Sequence, residues 1–252
     1  MFQLRFTTLV EAPLTVAFDV ARVLGRPWPW ALTEVASDRP HADEHRGGGG
    51  LMAQVRHTRH FHPTGAGTLV DEQVEWDNRV PGVLGRLLDQ TVVRRHVLAA
   101  MQAHLDLLAA AAQRRAEDVV QVVGAALVDG DRVLVAQRGG GSLAGLWEFP
   151  GGKVEPGESE LAALVRECRE ELAVEIAPQA FLGEVPLPGV VAGGEPGAST
   201  LRVWWGRIES GDPVDHEHTE LRWVRADELE ALDWIPADRP LLPAVRALLA
   251  RL

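Results

Sequence analysis

The stretch PGGKVEPGESELAALVRECREELAV, Pro150 to Val174, constrains this chain more than any other. It reads as a loop followed by a helix. Leu161, Leu164, Val165, Cys168 and Leu172 recur at helical spacing and form one apolar stripe. Glu167, Glu170 and Glu171 stand at i, i+3 and i+4, hence together on a neighbouring face. Two carboxylates brought to about 4 Å at an interface repel by roughly 4 kcal/mol. These also lie toward the helix C-terminus, where the macrodipole disfavours anions. Arg166 and Arg169 neutralise part of the charge, and a divalent cation would neutralise more. All-oxygen donors select a hard ion, Mg²⁺ or Mn²⁺. Taken alone, RECREEL reads equally as a solvated, salt-bridged face. The wider spacing decides: Gly152, Glu158, Arg166, Glu167, Glu170 and Glu171 are six identities at fixed offsets. At about 6% usage each, chance agreement somewhere along the chain is on the order of 10⁻⁵.

Composition narrows the classes. With 252 residues and 46% hydrophobic content the chain holds one large or two small domains. One cysteine excludes an intrachain disulfide and fits a reducing compartment, so a cytoplasmic location is expected. No basic segment precedes an apolar one in MFQLRFTTLVEAPL, so no secretory signal is expected. The apolar runs stop near ten residues, too short to span a bilayer, and no membrane partner is expected. Residues 1–116 carry a net charge of +1 and residues 117–252 a net of −12. The acidic half argues against nucleic-acid binding and suits work with cations, although solubility alone would also explain it.

Residues 2–10 read as a strand and Pro13–Leu24 as a helix. Residues 38–50, polar and glycine-rich, read as a loop. Two strands, 51–61 and 67–76, flank the hairpin HPTGA. Apolar residues from Gly82 to Ala112 predict one long amphipathic helix, and the polar run 113–118 holds the domain boundary. The second half begins with a strand, an Asp129-Gly130 hairpin turn and a second strand. Strands near 180–186, 200–208 and 220–224 and short helices near 226–232 and 240–250 complete an α/β pattern. The glycines at 139–141 lack the Gly-Lys-Ser/Thr ending of a phosphate loop and read as a flexible loop.

The spacing resembles the Nudix box, Gly-x5-Glu-x7-Arg-Glu-U-x-Glu-Glu-x-Gly-U, with U aliphatic. It departs at Cys168, an aliphatic position in the box, and at Ala173, where the box has its last glycine; alanine loses ready access to φ > 0. Residues 119–250 resemble MutT-like members throughout. That resemblance implies an α/β/α sandwich with a mixed sheet. It also implies Mg²⁺-dependent cleavage of a nucleoside triphosphate to the monophosphate and pyrophosphate, a nucleotide-pool sanitation activity. Glu167, Glu170 and Glu171 match metal-binding glutamates, the Gly151 carbonyl a backbone ligand, and Glu217 a further metal or base glutamate. Glu158 and Arg166 match the pair that supports the loop–helix geometry. Arg138 matches a phosphate contact, and Lys153, the sole lysine, suits the same task as a compact charge. The ending PADRPLL is similar to the CTP pyrophosphohydrolase and 8-oxo-dGTP diphosphatase branch, where Asp238 matches the base-reading position. A carboxylate there would accept from cytosine N4 or from N7–H of 8-oxoguanine. Asp238 also suits a helix N-cap, being followed by Arg239-Pro240. Trp147 and Phe149 are candidates for stacking on the base or for core packing.

Residues 1–115 resemble, more weakly, the START-like helix-grip proteins of the polyketide-cyclase superfamily. The resemblance rests on TTLVEAPLTVAFDVAR, GAGTLVDEQVEW and the long helix that follows. It implies a smaller α+β domain with an antiparallel sheet around a long C-terminal helix and an apolar ligand between them. The middle reads as shortened at 38–50, which would open that cavity. His57, His60 and His62 read as polar-face histidines rather than metal ligands, since only His60 and His62 share a strand face. The domains are thus expected at 1–115 and 116–252. The competing functions are hydrolysis of ADP-ribose or a nucleotide sugar, and non-catalytic binding of a nucleotide or an apolar ligand.

Overall fold

Period-two alternation at the start of the chain becomes strand β1 (Phe2–Val10) in the computed structural model, which describes residues 2–187 and 199–252. Two compact units follow from the contacts, Met1–Asp118 and Val119–Leu252. In the first, helix α1 (Leu14–Leu24) follows β1, and strands β2 (Thr33–Asp38), β3 (Ala42–Gly49), β4 (Met52–Thr64) and β5 (Gly67–Asn78) complete an antiparallel sheet in the order β1-β5-β4-β3-β2. The chain then runs through α2 (Gly82–Leu88), a π turn (Asp89–Val93) and α3 (Arg94–Ala116). The expected single helix is therefore interrupted by one π turn and extends beyond Ala112. Gln113 in its last turns donates to Glu11 at 3.2 Å, so the polar run is helix rather than linker and the unit ends at Asp118.

The expected loop at 38–50 is largely strand. Glycine there makes room instead of marking a turn: a Cβ on Gly49 would strike the Trp30 ring, and one on Gly48 the backbone of Ala53. His57 is also not on a polar face. It is fully buried on the inner face of β4, with its Nε2 2.6 Å from Glu72, while Trp28 Nε1 donates to its Nδ1 at 3.1 Å. That bond requires an unprotonated Nδ1, so the ring is neutral and Nε2–H donates to Glu72. Beside it, buried Asp43 pairs with Arg59 at 3.0 Å and with Arg26 at 2.6 Å. The interior of this unit is thus an ionic band between apolar ends. His60 and His62 do lie on the outer face, stacked at 6.4 Å.

Burial pushes the His57 pKa down despite the Glu72 contact. The unfolded chain therefore takes up protons below about pH 6.5 while the folded unit does not. Stability from this site is complete above that value and is lost as the pH falls, with a slope of up to about 1.4 kcal/mol per unit. A His57→Gln variant keeps a donor but cannot charge. Urea midpoints at about pH 7.5 and 5.5 should show wild type losing stability on acidification relative to this variant. A constant gap would mean that His57 does not titrate differently on folding.

The second unit holds β6 (Val120–Asp129), β7 (Arg132–Arg138), β8 (Trp147–Glu148), α4 (Glu160–Leu172), β9 (Glu175–Leu187), β10 (Ser199–Ser210), β11 (His218–Arg225) and α5 (Leu242–Leu249). Its mixed sheet runs β11-β7-β6-β10-β9, with β6 and β10 parallel and β8 added on β7. Alternation along β6 splits the core in two. Val123, Ala125 and Leu127 meet Ala163, Leu164, Cys168 and Leu172 of α4, whereas Ala126 and Val128 meet Leu242, Val245 and Leu249 of α5. This is the expected α/β/α sandwich. Leu161 leaves the apolar stripe and is 41% exposed.

Ala173 adopts the left-handed conformation the box glycine would take, at φ 57° and ψ 32°, and its N–H still bonds the Arg169 carbonyl at 3.1 Å. The turn survives the substitution at a cost of about 1–2 kcal/mol for a residue with a Cβ. Ala173→Gly should raise stability by about 0.5–1 kcal/mol after the greater unfolded-state entropy of glycine is allowed for. Denaturant unfolding tests this, and no gain would mean that the neighbouring packing already relieves the strain.

Candidate functional site

The box loop lies along β6: Val123 N–H bonds the Gly152 carbonyl and Ala125 N–H the Pro150 carbonyl, both at 2.8 Å. The carbonyl between them, of Gly151, has no donor among the described residues. Gly151 has φ 149°, and a Cβ there would strike the Val123 carbonyl. A Cβ on Gly152 would strike the carboxylate of Glu167, which explains the fixed glycine six residues before Glu158. Ser159 caps α4, accepting from Ala162 N–H at 3.2 Å.

One arginine ties loop to helix. Arg166 grips both oxygens of Glu158, at 3.1 and 3.0 Å, and donates to the Lys153 carbonyl at 3.0 Å. Its remaining nitrogen reaches Glu167 at 2.9 Å and Glu170 at 3.2 Å. Arg166 holds the Glu158 carboxyl below its ordinary pKa. Glu171 has no such partner. It is buried and accepts from Gly151 N–H at 3.0 Å. Burial, reinforced by the fields of Glu167 and Glu217, pushes its pKa up to about 7 against the opposing pull of His218 and the Gly151 N–H. Burial likewise raises Glu167, against the pull of Arg166. Cys168 is buried, its thiol pushed up to about 12 by burial, so it serves as the small apolar residue its position requires.

A cleft of about 470 Å³ opens beside this loop. Its lining includes Arg138, Glu148, Gly151, Lys153, Glu171, Glu217 and His218. Glu158, Arg166, Glu167 and Glu170 stand behind that lining in the Arg166 network. Among the described residues no three His, Cys, Asp or Glu side chains are gathered closely enough to hold an ion as they stand. The oxygen donors present nevertheless fit one: a buried carboxyl whose pKa is raised by burial and by neighbouring carboxylates, and an unbonded carbonyl at Gly151, both suited to a hard ion. Glu167 and Glu170 would have to turn from Arg166 toward such an ion.

Arg138 does not stand free for a phosphate. It donates to Glu148 at 2.8 Å and remains about half exposed. His218 Nε2 lies 3.7 Å from the other Glu148 oxygen, and its buried Nδ1 has no partner. Burial lowers its pKa, but Glu148, Glu171 and Glu217 outweigh that and raise it. Glu148 and His218 escape a reading by motif; the only signal is a charged residue inside the buried run WEF and a histidine following Glu217.

The same cleft is also walled by apolar Val122, Phe149, Leu187, Leu201, Ile235 and Ala237, and by Asp238. Trp147 is not there: it packs in the core under the Arg222 guanidinium, 4.7 Å from the ring centre, because its position on β8 points away from the cleft. Phe149 faces both ways, lining the cleft and packing on Trp234 at 5.0 Å. Asp238 makes no side-chain cap bond to the turn that follows it. Its Oδ2 accepts from Phe149 N–H at 2.8 Å, and its Oδ1 is buried without a partner. Burial drives its pKa up to about 8.

The NUDIX domain family matches residues 119–245, and the chain belongs to it. Over 119 residues it is 46% identical to a Mycobacterium tuberculosis protein with the provisional name 8-oxo-dGTP diphosphatase 2, covering 47% of this chain and 82% of that one. Over 137 residues it is 42% identical to the CTP pyrophosphohydrolase of Escherichia coli, covering 52% of this chain and 95% of that one. Family and relatives together make the chain a hydrolase of phosphorus-containing anhydrides. Among solved structures, a MutT NUDIX hydrolase from Burkholderia pseudomallei is 32% identical with a TM-score of 0.44, over 50% of this chain and 97% of that one.

Asp238 gives a stability test of the site. With a folded pKa near 8 and an unfolded value of about 3.9, it costs stability as the unfolded carboxyl ionises and the folded one does not. The penalty is absent below the lower value and complete above the upper one. Asp238→Asn cannot ionise, so its stability relative to wild type should rise steadily between about pH 5 and 8. Parallel melting curves across that window would mean that Asp238 ionises normally.

Proposed function

We propose that the second unit converts a nucleoside triphosphate and water to the monophosphate and pyrophosphate, with cytidine or 8-oxoguanine nucleotides as substrates and Mg²⁺ or Mn²⁺ as cofactor. The observation that carries the reading is the mixed lining of one cleft. Carboxylates, Lys153 and Arg138 line it together with apolar side chains and a single unsatisfied carboxyl, Asp238. A nucleoside triphosphate calls for both kinds of lining, one for its phosphates and one for its base. When bound, Mg²⁺ supplies Lewis acidity to activate water and neutralises charge on the departing pyrophosphate. Glu167, Glu170, Glu171, Glu217 and the Gly151 carbonyl would hold it. Arg166 and Glu158 keep the loop against α4. Lys153 meets phosphate oxygens as a point charge, and Arg138 does so on leaving Glu148. A glutamate of the set takes the proton of the attacking water.

At neutral pH Asp238 carries its proton. Because Oδ2 is occupied by Phe149 N–H, that proton belongs on Oδ1, which then donates to a base acceptor; ionised, Oδ1 accepts from an amine or ring N–H instead. The measurement is kcat/KM for CTP, dCTP, 8-oxo-dGTP and ADP-ribose with Mg²⁺. A cytidine or 8-oxoguanine nucleotide should lead. Glu171→Gln should lose at least about 100-fold. Asp238→Asn should change the preference between bases by about 1–3 kcal/mol. No pyrophosphate from any triphosphate, with Glu171→Gln indistinguishable from wild type, would sink the reading; ADP-ribose in the lead would move it to the other substrate class.

A second reading concerns the first unit. A groove of about 250 Å³, lined by Trp28, Trp30, Met52, Val93 and Val97, favours an apolar ligand there, as the helix-grip resemblance implies.

A further inference from the structure

We propose that the α2 end of the first unit docks on the surface of an anionic lipid bilayer. Helix α2 turns its aliphatic side chains outward: Val83 is 78% exposed, Leu84 62% and Leu87 56%. Val92 in the following π turn and Leu51 in the turn before β4 are exposed as well. Apolar side chains this prominent and this close together mark a contact surface. They protrude, so they suit insertion into a soft apolar phase better than a rigid partner, which would need a matching pocket.

Charge identifies the phase. From Arg79 to Leu105 the only acidic residue is Asp89, and it is buried, accepting from Trp76 Nε1 at 2.9 Å and Asn78 Nδ2 at 3.1 Å. Arg79, Arg86, Arg94 and Arg95 are all exposed, and none has an ion-pair partner among the described residues. Within a chain of net charge −11, the segment from Arg79 to Arg95 thus carries four exposed arginines and one buried acid alongside its exposed leucines. Arginine and leucine on one short helical surface are the composition of an interfacial segment. Two indoles adjoin it. Trp28 and Trp30 stack at 6.3 Å beside Leu51 and Val92. The π turn places Val92 and Val93 along the same groove. No helix of the described residues is long and apolar enough to cross a membrane, and surface docking requires none.

The test is co-flotation of the full chain with vesicles of phosphatidylcholine alone or mixed with phosphatidylglycerol. The protein should float with the mixed vesicles, not with phosphatidylcholine alone. It should be released at about 1 M salt, where the Debye length is about 3 Å. Leu84→Asp/Leu87→Asp and Arg94→Glu/Arg95→Glu should each cut the bound fraction at least about tenfold. Nucleotide turnover in solution should be unchanged in both, since neither pair touches the cleft, and this also reports folding. Failure to float with anionic vesicles at low salt would overturn the proposal. So would binding that survives both double substitutions. A dimer in light scattering that Leu84→Asp/Leu87→Asp converts to monomer, without vesicle binding, would assign the surface to a second copy instead.

Discussion

Arg166 holds the second unit's chemistry in place. Its guanidinium spans the box loop and α4, gripping Glu158 with two nitrogens and sharing the third between Glu167 and Glu170. Without a fixed planar cation there, four carboxylates would repel within a few ångströms of one another. With it, three are held in register and only Glu171 lies outside its reach, buried against the Gly151 amide. The glycines serve the same arrangement: Gly152 lets the Glu167 carboxylate lie flat on the loop, and Gly151 lets the loop lie flat on β6. The strained turn at Ala173, just beyond the helix, is a local cost that this network tolerates.

Both units bury charge. In the first, Asp43 pairs with Arg26 and Arg59, and Trp28, His57 and Glu72 form a chain of donors and acceptors, while Arg26 Nε and Nη1 and Glu72 Oε1 are buried without partners. Where its members pair, such a network favours one packing of sheet and helices. In the second, buried groups are likewise incompletely matched. Glu171, Asp238 and His218 all have displaced pKa values and all line one cleft.

The acidic helix, the family it marks and the sandwich around it were legible in the sequence because the box identities sit at fixed offsets on one element. Spacing along a helix is geometry already. The strand at 42–49 was not legible. Its glycines look like a turn until Trp30, from a distant loop, is seen to cover them. His57 was misread for the same reason: alternation along β4 says which residues share its face, but not that the partner across the sheet is Glu72. Glu148 and His218 belong to separate strands and become neighbours only when β8 and β11 both flank β7.

The sequence by itself determined the identity and order of the box residues, the hairpin at Asp129-Gly130 and the acidic bias of the second half, since each depends on local spacing or on counting. Tertiary structure alone decided what each charge does. Whether Asp238 caps a turn or stands unsatisfied in a cleft depends on the Phe149 amide, 89 residues away. Whether Trp147 meets a base or the core depends on which way β8 faces. Protonation, burial and partnership arise from groups distant in the chain, and they exist only once the chain has folded.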